Sequence, residues 1–183
     1  MQYAALSSAN IDAIQALFTH TFTDSEGAQE GAAIGQLAAA LATTTPAEEL
    51  RIFAAHDGDQ LAACVLFTRL HFAGAEGDKG REAWLLSPMA VATAMQGKGI
   101  GQGLIRYGLA ALKAQGAELA VTYGDPKFYG KLGFEAVTIE QVPAPQPLSF
   151  PHGWLAQTLE GEAMPTQKGP VRCAEALNRP EFW

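Results

Sequence analysis

Cysteine is scarce in this chain: Cys64 and Cys173 are the two among 183 residues. They lie far apart and make neither a zinc-ligand spacing nor a disulfide framework, which excludes a cysteine-stapled secreted scaffold. Charge is scarce as well, at 17% of residues, and its balance is acidic, with 12 Lys and Arg against 19 Asp and Glu for a net −7. No basic run stands out, which argues against a nucleic-acid partner. Long apolar runs are missing. The uncharged stretches 31–47 and 83–97 fall short of the roughly 20 residues a membrane helix needs, and both carry Gly, Thr, Ser or Pro. Met1-Gln2-Tyr3-Ala4 does not open a basic segment followed by an apolar one, so no secretion signal is read there. No internal repeat of useful length is present. What the chain does have is 48% hydrophobic residues, enough to bury a core. A reduced, cytoplasmic setting is expected, with no membrane, no nucleic acid and no metal.

The apolar spacing then orders the chain. Gln2–Leu6 reads as a first strand. Asn10 is a candidate N-cap, followed at helical spacing by Ile11, Ile14, Leu17, Phe18 and Phe22. A break over residues 23–27 precedes a second helix over 28–43, marked by Ile34, Leu37 and Leu41, whose glycines demand tertiary support. Residues 51–55 and 61–72 flank Asp57-Gly58-Asp59 as a hairpin. The glycine-rich, charged stretch 74–81 reads as an exposed loop, and Ala83–Val91 as a buried central strand. Helical spacing returns over 99–115 through Ile100, Leu104, Leu109 and Leu112, with Gly116 as the stop. Leu119–Tyr123 is a buried strand. Asp125-Pro126 places an N-cap before a proline at the first helical position, opening a short helix that ends at Gly133. Residues 134–139 read as a strand. Pro143, Pro145, Pro147 and Pro151 punctuate a connection, and 154–159 reads as the last strand. The expectation is an α/β (α+β) layer fold with a mixed sheet, one domain over 1–160, and a tail over 161–183 packed on the domain or a partner.

The chemistry concentrates where Ala83–Val91 runs through Ala92-Thr93-Ala94-Met95-Gln96-Gly97-Lys98-Gly99-Ile100-Gly101 into a helix. Glycines let the backbone approach a ligand, and a helix N-terminus carries about half a positive charge. Together they form a pyrophosphate cradle. A P-loop needs Ser or Thr after Gly-Lys, and here Gly99 follows Lys98. Gly97, Gly99, Gly101 and Gly103 recur at every second position, which breaks the dinucleotide fingerprint G-x-G-x-x-G.

Two motifs in register carry a resemblance. Gln96-Gly97-Lys98-Gly99-Ile100-Gly101 fits the Q-x-x-G-x-G acetyl-CoA signature of the GNAT superfamily of N-acetyltransferases. Phe128-Tyr129-Gly130-Lys131-Leu132-Gly133-Phe134 fits its F-Y-x-K-L-G-F signature, a helix and a strand further on. Residues 83–136 carry the resemblance, and the order of elements extends it to 2–160. The Gly124-Asp125-Pro126 approach and the proline-rich tail most resemble the YhbS-like subgroup.

The resemblance implies a mostly antiparallel mixed sheet splayed between its fourth and fifth strands, with helices on both faces. It implies acetyl-CoA as co-substrate. The pantetheine arm would pair with the fourth strand at Met89, Ala90 and Val91, where a bulge at Ser87–Met89 around Pro88 would free backbone groups. The pyrophosphate would rest on backbone N–H groups of Gln96, Gly97, Lys98, Gly99, Ile100 and Gly101. Gln102 and Arg106 would reach toward the nucleotide, and Phe128 would pack nearby. A backbone N–H of the bulged strand would polarise the acetyl carbonyl. Tyr129 would protonate the leaving CoA thiolate as general acid. Many relatives place a glutamate eleven residues before the signature glutamine. Here that position is Leu85, so the general base is unassigned, with Glu26, His71, Tyr123, Asp125 and His152 as candidates.

The function implied is acetyl transfer to a primary amine, of a small molecule or a peptide, by direct transfer in a ternary complex of a monomer or homodimer. Asp24 and Glu26, in the connection 21–28, and Asp125 are candidates to receive the ammonium. The net −7 leans toward cationic amines. The competing reading is a non-catalytic acyl-CoA-binding or sensing module of the same fold, suggested by the absent strand glutamate. Tyr129 argues against it.

Overall fold

The structure is a computed structural model, described for residues 1–7, 10–73 and 81–183. Its elements run β1 (Gln2–Leu6), α1 (Ile11–Glu26), α2 (Ala28–Thr44), β2 (Leu50–Asp57), β3 (Gln60–Phe72), β4 (Ala83–Val91), α3 (Ile100–Ala114), β5 (Leu119–Tyr123), α4 (Pro126–Tyr129), β6 (Glu135–Ala136), β7 (Trp154–Thr158) and β8 (Val171–Arg172). The hydrogen-bonded strand order is β1-β2-β3-β4-β5-β7-β6, with β8 added to β3. β4 and β5 run parallel, while the β1–β2, β3–β8, β5–β7 and β6–β7 pairs run antiparallel. This is a mixed α/β fold with a mostly antiparallel sheet, as expected. The chain divides into two compact units, Met1–Phe67 with Ser87–Gly108, and Thr68–Leu86 with Leu109–Trp183.

In the first unit, Ile14, Leu17 and Phe18 of α1 and Leu37 and Leu41 of α2 are buried at helical spacing. The two helices approach closely. A Cβ at Gly31 would stand 2.6 Å from the Thr19 carbonyl oxygen, and one at Gly35 would strike the Thr19 side chain. The glycines that lower the intrinsic helicity of α2 are thus what lets it lie against α1. Residues 23–26 form the last turn of α1, not a break, and Gly27 alone, at φ 96°, separates the helices. The turn at Gly58 (φ 59°) joins β2 to β3 as the hairpin expected.

In the second unit, Leu85, Leu119, Val121, Trp154 and Ala156 are buried in adjoining strands. The parallel register pairs Ala83 with Leu119 and ends at Leu86 with Thr122. Gly116 (φ 91°) stops α3, its N–H bonding Lys113 O while Ala117 N–H bonds Leu112 O. The strand expected over 134–139 shrinks to Glu135–Ala136. β6 pairs with β7 alone, and one further bond, Val137 N–H to Trp154 O, ends the contact. Residues 161–183 supply β8 and Trp183, which is buried, stacks on Tyr123 and donates its indole N–H to Leu177 O at 2.7 Å. The expected loop over 74–81 lies, except for Arg81, outside the described residues.

Candidate functional site

In the first unit, β4 carries Pro88 through a cis Ser87–Pro88 peptide within an unbroken strand. Ala90 is buried, while Met89 and Val91 are half-buried. The Val91 carbonyl is already used: it accepts from Gln96 Nε2 at 3.0 Å and Thr21 Oγ1 at 3.5 Å. The signature glutamine therefore ties the glycine turn back to the end of β4. Gly97 and Gly99 hold φ +74° and +76°, and a Cβ at either would meet nothing within 4 Å. Glycine is needed there for backbone conformation and not for space. Gly103 N–H makes the first bond of α3, to Gly99 O at 3.0 Å. The amides of Ile100, Gly101 and Gln102 thus have no partner within the helix, as at any helix start. A phosphate fits these donors. Lys98 folds onto its own turn, its ammonium 3.1 Å from Ala94 O.

Asp24 lies on α1, not in a loop, and accepts from Thr93 Oγ1 at 2.6 Å. With His20, Thr21 and Gln60 it lines a cavity of about 480 Å³. Glu26 ends α1, exposed, and is not among the residues lining that cavity.

In the second unit, Asp125 caps α4, its Oδ1 accepting Lys127 N–H at 2.9 Å. Gly133 (φ 91°) closes the turn that follows. The Tyr129 ring packs edge-on against Phe128 (5.0 Å) and Phe134 (5.7 Å). Gly124 faces it so closely that a Cβ there would stand 2.6 Å from Cε2. Burial of the hydroxyl end raises the Tyr129 phenol above its ordinary 10, against a weaker opposing hydrogen bond with Thr122. Thr122 Oγ1, fully buried, donates to Leu86 O at 3.1 Å. The ring is held in place by Phe128, Phe134 and the bare face of Gly124. Thr122 is not singled out by the sequence, although it is the one aliphatic hydroxyl in the apolar strand LAVTY.

The base candidates separate. Leu85 is fully buried opposite Val121, so β4 offers no carboxylate there. Glu82 pairs with Arg69. The Tyr123 hydroxyl is a strut, accepting Phe150 N–H at 2.6 Å and bonded to Ser149 Oγ at 3.2 Å. His71 sits opposite Arg172 in the β3–β8 pair. Tyr123, Asp125 and His152 line one cavity of about 600 Å³ with Phe150 and Gly153.

Fold and sequence converge on a class. The family described as "Acetyltransferase (GNAT) domain" matches residues 48–136, and the chain belongs to this family of acetyltransferases. It is 34% identical over 129 residues to the uncharacterized N-acetyltransferase YjhQ of Escherichia coli K12, covering 69% of each chain. Among solved structures, it resembles E. coli YhbS in complex with CoA (TM-score 0.78, 22% identity, 97% of this chain and 92% of that one). It also resembles a GNAT acetyltransferase of Brucella melitensis in complex with acetyl-CoA (TM-score 0.72, 24% identity, 96% and 97%).

Proposed function

We propose that the chain is an acetyl-CoA-dependent N-acetyltransferase that moves an acetyl group directly to a primary amine within a ternary complex. The observation that carries this reading is the half-buried Tyr129 ring, packed between Phe128, Phe134 and the bare face of Gly124 at the position the resemblance gives to the acid. The amine nitrogen attacks the thioester carbonyl carbon and gives up one N–H proton to water, and the carbon–sulfur bond breaks. Tyr129 O–H then gives its proton to the departing sulfur, so the thiol leaves neutral. The amides at the start of α3, with Gly97 and Gly99 shaping the turn, bind the pyrophosphate. The relatives crystallised with acetyl-CoA and CoA support the choice of co-substrate.

The alternative, a sensing module that binds acyl-CoA without turnover, is favoured by buried Leu85 in place of a strand carboxylate. Melting with acetyl-CoA, CoA and NADPH tests the co-substrate. At one hundred times its dissociation constant a ligand adds about 2.7 kcal/mol, which a melting curve registers. A shift with both CoA species and none with NADPH is expected, and no shift with either CoA species refutes the reading. Release of CoA thiol with an amine panel separates enzyme from sensor.

A further inference from the structure

The overall charge favours a cationic acceptor, but the 600 Å³ cavity of the second unit has a different character. Its walls are the Tyr123 ring, Pro126, Phe150 and the bare backbone faces of Gly124 and Gly153. Gly153 is constrained to be small: a Cβ there would stand 3.0 Å from Gly124 O and 3.3 Å from both Phe150 and Tyr123. Phe150 is 59% exposed, an aromatic side chain on the cavity wall. Its backbone N–H is bonded to the Tyr123 hydroxyl at 2.6 Å, which ties the two aromatic residues of the wall together. The formal charges lining the cavity cancel, Asp125 against Lys127. A polycation gains nothing from such a site, whereas a flat apolar body does.

Two polar groups stand ready at this wall. Asp125 Oδ1 is taken by the helix cap, and Oδ2 has no partner among the described residues. His152 touches Phe150 edge-on at 5.9 Å, and its imidazole has no hydrogen-bond partner among the described residues. The cavity also adjoins the acid, since Gly124 lines it and abuts the Tyr129 ring.

We infer that this cavity is the acceptor pocket, that it takes a small primary amine with an aromatic body, and that His152 receives the amine proton. The inference rests on the acetyltransferase reading. As the nitrogen–acetyl bond forms, one N–H proton passes to the His152 imidazole. The carbon–sulfur pair leaves with sulfur and takes the Tyr129 proton. His152 then releases its proton and Tyr129 regains one, so the net products are the amide and neutral CoA thiol.

The test supplies the full chain with acetyl-CoA and either 2-phenylethylamine or spermidine, and measures thiol release. We expect kcat/KM at least about tenfold higher for 2-phenylethylamine, equivalent to about 1.4 kcal/mol of preference. Phe150→Ala should raise its KM by about tenfold while the melting shift with acetyl-CoA stays that of the native chain. His152→Gln should lower kcat by about 100-fold with KM little changed. Preference for spermidine, or a native shift with acetyl-CoA but no acetylation of 2-phenylethylamine, overturns the inference alone. Loss of the acetyl-CoA shift in Phe150→Ala also overturns it, because the co-substrate then fills the cavity. Absence of any acetyl-CoA shift in the native chain removes the acetyltransferase reading and this inference with it.

Discussion

Gly124→Ala isolates the placement of Tyr129 from its chemistry. The glycine does not use a positive φ, so alanine is compatible with the backbone. Its new methyl would stand 2.6 Å from Cε2 and 3.3 Å from Cδ2 of the Tyr129 ring. Carbon atoms pack at about 3.5–4.0 Å, so the ring edge must retreat by about 1 Å. Phe128 and Phe134 pack against that ring, and the displacement is absorbed by strain among the three. Overpacking of this kind costs about 1–3 kcal/mol of stability. A catalytic group misplaced by about 1 Å costs about 100-fold in rate. The assay is thiol release at saturating acetyl-CoA, with Tm measured in parallel. Gly116→Ala is the control, because it imposes a strained φ of 91° where a Cβ meets nothing. It should lose about 1–2 kcal/mol with kcat intact. If Gly124→Ala keeps kcat within about threefold of the native chain, the ring position does not govern the acid step and the reasoning fails.

Tyr129→Phe should lower kcat by about 100-fold or more while the melting shift with acetyl-CoA persists. The raised Tyr129 phenol also gives a stability signature: above about pH 10 the unfolded chain releases that proton first, so stability falls as pH rises. Alkaline melting curves should show a shallower fall in Tyr129→Phe, and an unchanged slope refutes the assignment. Gly99→Ala should cost about 1–2 kcal/mol and weaken acetyl-CoA about tenfold by calorimetry, because it twists the amides that open α3. Burial pushes Cys64 up to about 12 and Cys173 up to about 11. Neither should react with a disulfide reagent at pH 8 until denaturant is added, and rapid labelling of the folded chain would contradict their burial.

Much of the fold was legible because its signals are local. Gly58, Gly116 and Gly133 mark left-handed turns, and Asp125-Pro126 marks a helix start; each was read at its observed place. Gly97 and Gly99 were expected for close approach to a ligand, whereas the structure requires glycine there for its positive φ. Where signals depend on neighbours, the reading slipped. The last turn of α1 looked like a break because Thr23-Asp24-Ser25-Glu26-Gly27 resembles a loop in isolation. In the structure Thr23 lies close against Gly31 of α2, and the turn is helical. β6 was overextended because its apolar residues say nothing about how little partner strand is available. β8 is two residues long and exists only through its pairing with β3.

The candidate site divides along the same line. Residue order alone determined the glycine cradle, the aromatic-tyrosine-glycine turn and the class of chemistry they suit, since each motif is contiguous and its backbone demands are intrinsic. Tertiary structure decided which carboxylates and imidazoles are still free to act. Asp24 is engaged by a threonine 69 residues away, and Glu82 by Arg69. Tyr123 is bound to the segment that carries Phe150. Tertiary structure also gathered His152, Phe150 and Gly153 beside Gly124, which stands against Tyr129. No spacing rule joins residues 124 and 150–153. Their neighbourhood follows from β7 entering the sheet beside β5, a long-range pairing whose energy comes from burying Trp154, Leu155 and Ala156 against Leu119–Tyr123.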